Sequence, residues 1–366
     1  MLWLTVILIF PYIFFLLKIY RSLLTIKSFN TTTNPSIFVS VVVACHDEQE
    51  NLPRLLKSLS AQNYPDELFE VIIVNDNSTD KTFETASDFC DIKNIVVINN
   101  KGTGKKQAIR TGIEASTGKL IITTDADCRM GEKWIRTIAA FYEKQKADMI
   151  ICPVQLGTRP GFFARFQELE FLSLQGITAG SVQGEKATMC NGANLSFTRE
   201  AYLNNSDNLH DEINSGDDVF LLHSLKKNHS PILWLESPDA IVTTTSSSTI
   251  SSFLKQRRRW ISKGKSYTDG FTILIGIVTF ITILTQVSVL VAGIFYPKFL
   301  WVFLAIFLLK SVPDFLILRN TAKRYGKREL MNLFIPSQIL YPFYVLSVVI
   351  YSLISNPYEF QLNLSE

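Results

Sequence analysis

The chain has 366 residues and a net charge of +3, with 19% charged and 47% hydrophobic residues. A balance this near neutral, with no basic tract interleaved with aromatics, excludes a nucleic-acid groove. Mean hydropathy is +0.18, high for a soluble chain, and the excess collects in residues 2–17 and 271–355 around a middle of mixed composition. Cys45, Cys90, Cys128, Cys152 and Cys190 form no CxxC pair. An odd count in or beside apolar stretches predicts reduced core thiols in a reducing compartment, and disfavours zinc.

Residues 1–20 predict a transmembrane helix: they are almost wholly apolar through Leu17, then carry Lys18, with Arg21 and Lys27 following. About 20 residues span a hydrocarbon core of about 30 Å. No small-residue cleavage site follows, so a cleaved signal peptide is the weaker reading. The Lys/Arg side faces the cytosol, and Pro11 is expected to kink the helix without forbidding it. Residues 30–36 form a polar linker.

From residue 37 strand and helix patterns alternate. Residues 38–44, 71–74, 95–98 and 120–123 are β-branched runs; 51–59 and 105–115 have helical spacing, and Ser78, Thr79 and Asp80 supply cap chemistry for a helix start. This order predicts an α/β domain, a mostly parallel sheet of βαβ units with helices on both faces. Ligands of such sheets sit beyond the carboxyl ends of the strands. Polar clusters fall at those ends, at 45–48, 75–78, 99–105 and 125–127.

The last cluster carries the sharpest chemistry. An apolar run ends in Asp125 and Asp127, one residue apart. Two hard carboxylates beside a nucleotide suit Mg2+ or Mn2+, which take few carboxylates plus phosphate oxygens. A polar turn closing a buried strand is the plain alternative. Lys105 follows Gly102 and Gly104 and can reach a phosphate while the backbone approaches closely. The spacing is not that of a Walker A loop, and no Ser or Thr follows the lysine.

Beyond the fourth strand, residues 162–174 read as a helix either lying on a membrane surface or packed on the sheet. Residues 190–194 are a tight polar loop before a strand at 195–197. Gly216, Asp217 and Asp218 open a helix through 225, and adjacent carboxylates there are also good capping chemistry. A polar spacer, 246–252, leads to Gln256, Arg257, Arg258, Arg259 and Trp260. Residues 271–295, 299–318 and 333–355 predict three further spans, with a basic cytosolic loop at 319–328 and an outward-facing terminus without Lys or Arg. Lys310 and Asp314, four apart within a span, are expected to pair on one helix face; a polar path is the alternative.

Taken in order, these motifs resemble a known family: the run 41–48 (Val-Val-Val-Ala-Cys-His-Asp-Glu), the run 74–80 (Val-Asn-Asp-Asn-Ser-Thr-Asp), Gly104 with Lys105, the DxD of Asp125 and Asp127, Gly216-Asp217-Asp218, and QxxRW at 256–260. The chain resembles membrane-anchored family 2 glycosyltransferases with a GT-A fold, near the cellulose, hyaluronan and poly-N-acetylglucosamine synthases. The likeness covers roughly residues 37–265. It implies a cytosolic GT-A domain there, a Rossmann-like mixed, mostly parallel sheet, in a multi-pass protein of the cell (plasma or inner) membrane.

The resemblance also implies roles. Asp76 accepts the uracil imide N–H, and Glu48 makes a further base or ribose contact, although a solvated helix start would also explain Glu48. Asp127 holds the metal ion that neutralises the departing diphosphate, with Asp125 on the ribose or a metal-bound water. Lys105, Gln256 and Arg259 face the donor phosphates. Trp260 stacks on a sugar and, with Asn191, contacts the acceptor. Asp218 is the base for an acceptor hydroxyl, beside Asp217 where the family usually carries Glu, and it should sit partly desolvated or beside that neighbour. Arg257 and Arg258 are expected at the lipid headgroups. His46 replaces a common arginine, and Asn75 and Asn77 replace Asp and Gly; Asn tolerates the left-handed turn.

The implied activity is inverting transfer from a UDP-sugar, with Mg2+ or Mn2+, onto a polysaccharide or lipid acceptor. Single addition to a glycolipid is one alternative. A non-catalytic nucleotide-binding subunit of a membrane complex is another, and a partner protein is compatible with any of these.

Overall fold

The computed structural model describes residues 2–206, 209 and 216–354. The chain divides into two compact units: one joins Ile26–Gly157 to Met189–Thr245, and the other joins the N-terminal helix, Thr158–Thr188 and the chain from Ser246 onward. The single domain expected over 37–265 is thus not one unit, because 158–188 and 246–265 fold with the apolar helices.

In the first unit the strands are, in chain order, β1 (Val39–Cys45), β2 (Phe69–Asn75), β3 (Ile95–Asn99), β4 (Leu120–Asp125), β5 (Arg129–Met130), β6 (Met149–Ile151), β7 (Val154–Leu156), β8 (Leu195–Thr198), β9 (Ile232–Trp234) and β10 (Val242–Thr244). The main sheet has the order β3-β2-β1-β4-β8-β6-β9, and a small one has β5-β10-β7. β1 to β4 run parallel and β8 antiparallel to β4. This is the expected mixed, mostly parallel sheet. β1 and β2 are buried almost throughout, as near-continuous Val/Ile runs covered on both faces should be. Register does the functional work: Ala44 pairs with Asp125, Cys45 with Asn75, and Asn75 with Asn99. The polar clusters therefore line up on one rim.

Two details depart from expectation. The helix after β2 is Thr82–Ser87 and does not start at 78, because Ser78, Thr79 and Asp80 are spent on tying the rim loops together. Of the cysteines, Cys45, Cys128 and Cys152 are buried, but Cys90 is exposed and Cys190 half-buried. Polarity at Asp88, Asp91 and Lys93 turns Cys90 outward despite its apolar neighbour Phe89. Burial pushes the Cys45, Cys128 and Cys152 thiols up, so these groups stay protonated and unreactive.

The second unit holds the helices Leu2–Thr25, Phe162–Gln183, Ile250–Ser262, Gly270–Phe295, Lys298–Arg324 and Phe334–Ile354. Among the described residues four segments are long and apolar enough to cross a membrane: Ile7–Thr25, Gly270–Phe295, Lys298–Arg324 and Arg328–Ile354. The third helix continues through Arg324, so the basic loop expected at 319–328 is half helical and turns at Gly326. The tail beyond Ile354, expected to face out, lies outside the described residues.

Phe162–Gln183 packs on Leu2–Thr25 and Lys298–Arg324 within this unit. Gly180 permits the approach, since a Cβ there would stand 2.6 Å from the Ile19 carbonyl oxygen. The helix buries Glu168 and Glu170, and each finds a cation: Lys327 donates to Glu168, and Arg257 Nη2 lies 2.6 Å from Glu170 Oε2. Arg257 also stacks over the Phe253 and Trp260 rings, at 4.6 and 4.0 Å. Its side chain is 5% exposed, which corrects the expected headgroup anchor: its place on the inner face of Ile250–Ser262 makes it an internal ion-pair partner. Glu170 holds its guanidinium charged against the opposing cost of burial.

Arg257→Ala would strand a buried carboxylate. It should destabilise the protein by about 3–5 kcal/mol, read as a fall in melting temperature in detergent; Arg257→Met combined with Glu170→Leu should recover most of the loss. An unchanged melting temperature for the single variant would refute the structural role.

Lys310 and Asp314 pair as expected, at 2.6 Å. Tyr12 donates to the other Asp314 oxygen at 2.6 Å, and Lys310 also donates to Gln338.

Candidate active site

The rim is assembled loop by loop. After β1, the Asp47 carboxylate accepts from Thr79 N–H at 2.7 Å, and the Asp47 N–H donates to Ser78 Oγ at 3.1 Å. The Thr79 N–H bond holds the Asp47 carboxyl below its usual range. Asp47 and Asn77 both take left-handed backbone, at φ 53° and 55°, as the Asn in place of Gly allows. His46 Nδ1 meets the Asp76 carbonyl oxygen at 2.7 Å. Asn75 donates to Asn99 at 2.9 Å and accepts from Ser78 N–H. The residues that depart from the family pattern are therefore scaffold for the rim.

Asp76 is buried, yet only Oδ1 is committed: it accepts from Asn100 Nδ2 at 2.7 Å and from Gly104 N–H at 2.9 Å. Oδ2 has no partner among the described residues and is the oxygen able to meet an imide N–H. Gly104 sits at φ 91°, a conformation that suits glycine and strains other residues. Helix Lys105–Ala115 starts immediately after it, so its free N–H groups open onto the rim, where anions are favoured. Lys105 Nζ contacts Asp125 Oδ1 at 2.5 Å. Desolvation opposes its charge, but Asp125, then Asp217 and Asp218, outweigh it and hold the ammonium above its usual value. That ordering of influences brings Lys105, Asp125, Asp217 and Asp218 into one electrostatic neighbourhood.

Asp125 and Asp127 are half-buried at the end of β4. Asp127 Oδ2 accepts from Thr244 Oγ1 and Thr245 Oγ1, both at 2.7 Å, and from Thr245 N–H at 3.3 Å. Among the described residues Oδ1 has only the weak Cys128 thiol contact. Glu48, held by Asn51 Nδ2 at 2.8 Å, is close enough for its carboxyl to be pushed up, first by burial and then by Asp127 and Asp125. Among the described residues no three His, Cys, Asp or Glu side chains gather into one ligand set. The donor chemistry still fits Mg2+ or Mn2+, because Asp127 Oδ1 and Asp125 are hard oxygens and such ions complete their shells from phosphates and water.

Glu48 gives a pH test. A raised folded-state value means that the folded chain holds this proton more tightly, so its contribution is full below the ordinary 4.5 and is lost as pH rises through the shifted value. Glu48→Gln should therefore raise the melting temperature at pH 7 in EDTA, with the gain shrinking as pH falls towards 4.5. A gain independent of pH would sink that account.

Asp218, in the first turn of helix Asp217–Lys227, is half-buried as expected. Its Oδ2 accepts from Gly192 N–H at 3.1 Å and its Oδ1 from Val219 N–H at 2.8 Å. Thr123, on β4, donates to the Gly192 carbonyl at 2.9 Å, so the base candidate is referenced to the sheet through the 192–194 turn. Asn191 caps that turn, accepting from Ala193 N–H; only its amide donors are left for an acceptor. Gln256, Arg259 and Trp260 belong to the other unit. There Gln256 accepts from Arg257, one Trp260 face takes the Arg257 guanidinium, and Arg259 is exposed.

Sequence reading missed Asn100, Thr244 and Thr245. Asn100 follows a strand as a second Asn, which was a usable signal. The threonines lie far along the chain from Asp127 and gave none.

The sequence matches a family model described as Glycosyl transferase family 2 over residues 40–204. It is 35% identical over 107 residues to the glycosyltransferase AglE of Haloferax volcanii, covering 29% of this chain and 34% of that protein. It is 34% identical over 110 residues to an undecaprenyl-phosphate 4-deoxy-4-formamido-L-arabinose transferase of Proteus mirabilis, covering 29% and 34%. The chain thus spans about a third of the length of these relatives. The fold is similar to that of the mannosyltransferase PcManGT from Pyrobaculum calidifontis, solved with GDP-Man and Mn2+, at a TM-score of 0.61 and 16% identity over 97% of this chain and 99% of that one. The parallel βαβ order and the DxD at the end of β4 agree with these likenesses: residues 40–204 are similar to glycosyl transferase family 2, and the fold is GT-A.

Proposed function

We propose that the protein is an inverting glycosyltransferase that moves a sugar from a UDP-sugar to an acceptor hydroxyl on a lipid or polysaccharide, working at the cytosolic face of the cell membrane. The observation that carries this reading is the rim: Asp76 with one free oxygen, Lys105 against Asp125, the Asp125/Asp127 pair, and Asp218 are held within one unit by named hydrogen bonds. Asp76 Oδ2 selects the uracil edge, Glu48 supports the nucleoside, and Lys105 exchanges Asp125 for a donor phosphate. Asp127 and Asp125 would hold Mg2+ or Mn2+, which supplies charge stabilisation to the departing diphosphate. Asp218 takes the acceptor proton; the hydroxyl oxygen bonds to the anomeric carbon from the side opposite UDP, and the bond to the phosphate oxygen breaks with its electron pair leaving on UDP. Asn191 is assigned to the acceptor.

The QxxRW run supports a polymer product, and the Proteus relative's name, with its lipid phosphate, supports a lipid acceptor. A non-catalytic subunit is disfavoured by the intact carboxylate set. Incubating the detergent-purified chain with Mn2+, membrane lipid and a panel of UDP-sugars, with GDP-mannose as a contrast, separates these. UDP release with a product ladder establishes the polymer, and one lipid-soluble product the glycolipid. Turnover of GDP-mannose alone would overturn the uridine assignment.

A further inference from the structure

We infer that Asn100 determines nucleotide specificity: it fills the acceptor capacity of one Asp76 oxygen and thereby sets the site against guanine. The inference rests on the uridine-nucleotide reading above and says how that base is told from another that also offers a ring N–H.

Each carboxylate oxygen has two acceptor positions. Asp76 Oδ1 uses both, taking Asn100 Nδ2 at 2.7 Å and Gly104 N–H at 2.9 Å. The rest of Asp76 is equally fixed. Its N–H donates to the Cys45 carbonyl at 2.8 Å, its own carbonyl meets His46 Nδ1 at 2.7 Å, and the residue is 7% exposed. Among the described residues Oδ2 alone is left for a base.

The Asn100 amide has one orientation. Its oxygen accepts from Gly102 N–H at 3.2 Å and from the Thr111 hydroxyl at 3.1 Å. A backbone N–H only donates and a carboxylate only accepts, so a flipped amide would set donor against donor and acceptor against acceptor. Thr111, buried on helix Lys105–Ala115, is oriented in turn by Lys101 N–H, which reaches its hydroxyl oxygen at 3.5 Å. The Asn100 N–H donates to the Asn75 carbonyl at 2.8 Å and ties the residue to the end of β2. Nδ2 is thus held on Oδ1 from both sides.

One free oxygen suits one base better than the other. Uracil offers a single imide N–H. Guanine offers a ring N–H and an amino N–H side by side, a pair that a carboxylate meets with both of its oxygens. With Oδ1 filled, the second guanine donor finds no acceptor on Asp76, and a donor desolvated without a partner costs binding. Discrimination then comes from an acceptor already occupied, a device directed against the wrong ligand.

The test is calorimetric titration of the full detergent-purified chain with UDP and with GDP, in Mn2+. The wild-type chain should bind UDP about 10–100-fold more tightly, the worth of one hydrogen bond to a charged group. Asn100→Ala frees an acceptor position on Oδ1, so the ratio of UDP to GDP affinity should fall about tenfold. A purely structural loss weakens both nucleotides together and leaves the ratio where it was. Thr111→Val removes the hydroxyl that aims the amide and should move the ratio the same way by less; it is the deciding variant if Asn100→Ala does not fold. An unchanged ratio in the deciding variant overturns this inference and leaves the uridine reading standing. A wild-type chain that binds GDP as tightly as UDP overturns both.

Discussion

Asp218→Asn should lower sugar transfer by about 10²–10⁴-fold, the usual worth of a positioned general base, and leave UDP affinity unchanged. Asparagine keeps the size of the side chain and can still accept the Gly192 N–H bond through its remaining oxygen, so the 192–194 turn stays in place and only the Val219 N–H bond to the other oxygen is given up. What is lost is the ability to take a proton. The proposed nucleotide contacts are elsewhere on the rim, at Asp76 and the Gly104 loop that it holds, which is why binding is the control. Single-turnover UDP release with saturating donor and acceptor reads the chemistry, and calorimetric titration with UDP reads the binding. Asp217→Asn is the matched comparison: the same charge is removed one residue away, and because Asp218 is the residue proposed to take the proton, the neighbour should cost less. Substantial turnover by Asp218→Asn would remove it from the role of base, and a parallel loss of UDP binding would make it a folding residue.

The parts of the protein legible in sequence are those governed by short-range periodicity. β1 to β4 were predictable because buried parallel strands read as apolar runs, and the rim because polar residues follow them at once. Helix Lys105–Ala115 fell where its spacing placed it. The long apolar segments were equally plain, although their ends shifted by several residues because the helices run on into the flanking polar residues. The helix after β2 was misplaced for a physical reason: Ser78, Thr79 and Asp80 carry cap chemistry, but the partners they satisfy are Asp47 and Gln49 on another loop.

Long-range pairing was not legible. Nothing local to Arg257 says that Glu170 lies beside it, and an arginine before a span reads as a headgroup anchor until that carboxylate is found. Residues 158–188 likewise look like part of the sheet domain by position. Their glycines and buried glutamates acquire meaning only once Ile19, Arg257 and Lys327 surround them.

The same limit applies at the carboxylate pair, where the strongest remaining prediction lies. Asp127→Asn should reduce transfer by about 10²–10³-fold, the scale of removing one preorganised electrostatic group from a reacting centre, and should abolish the increase in donor affinity that Mn2+ brings. The carboxylate is aimed by Thr244 and Thr245, whose hydroxyls and one N–H all converge on Oδ2, leaving Oδ1 as the oxygen for an incoming ion. An amide cannot serve both ends: its oxygen facing the threonines turns an N–H2 donor towards the ion, and the reverse sets donor against donor. Thr245→Val tests the aiming separately. It keeps both carboxylates and the fold, and should weaken the Mn2+ dependence of donor binding by about 10–100-fold, as loss of an outer hydrogen bond to a ligating group does. The readout is UDP-sugar affinity across an Mn2+ titration, with UDP-sugar affinity in EDTA as the baseline. If Asp127→Asn retains the full Mn2+ effect, the ion is held elsewhere. If Thr245→Val equals Asp127→Asn in severity, the threonine is itself a ligand and the division between the two carboxylate oxygens is wrong.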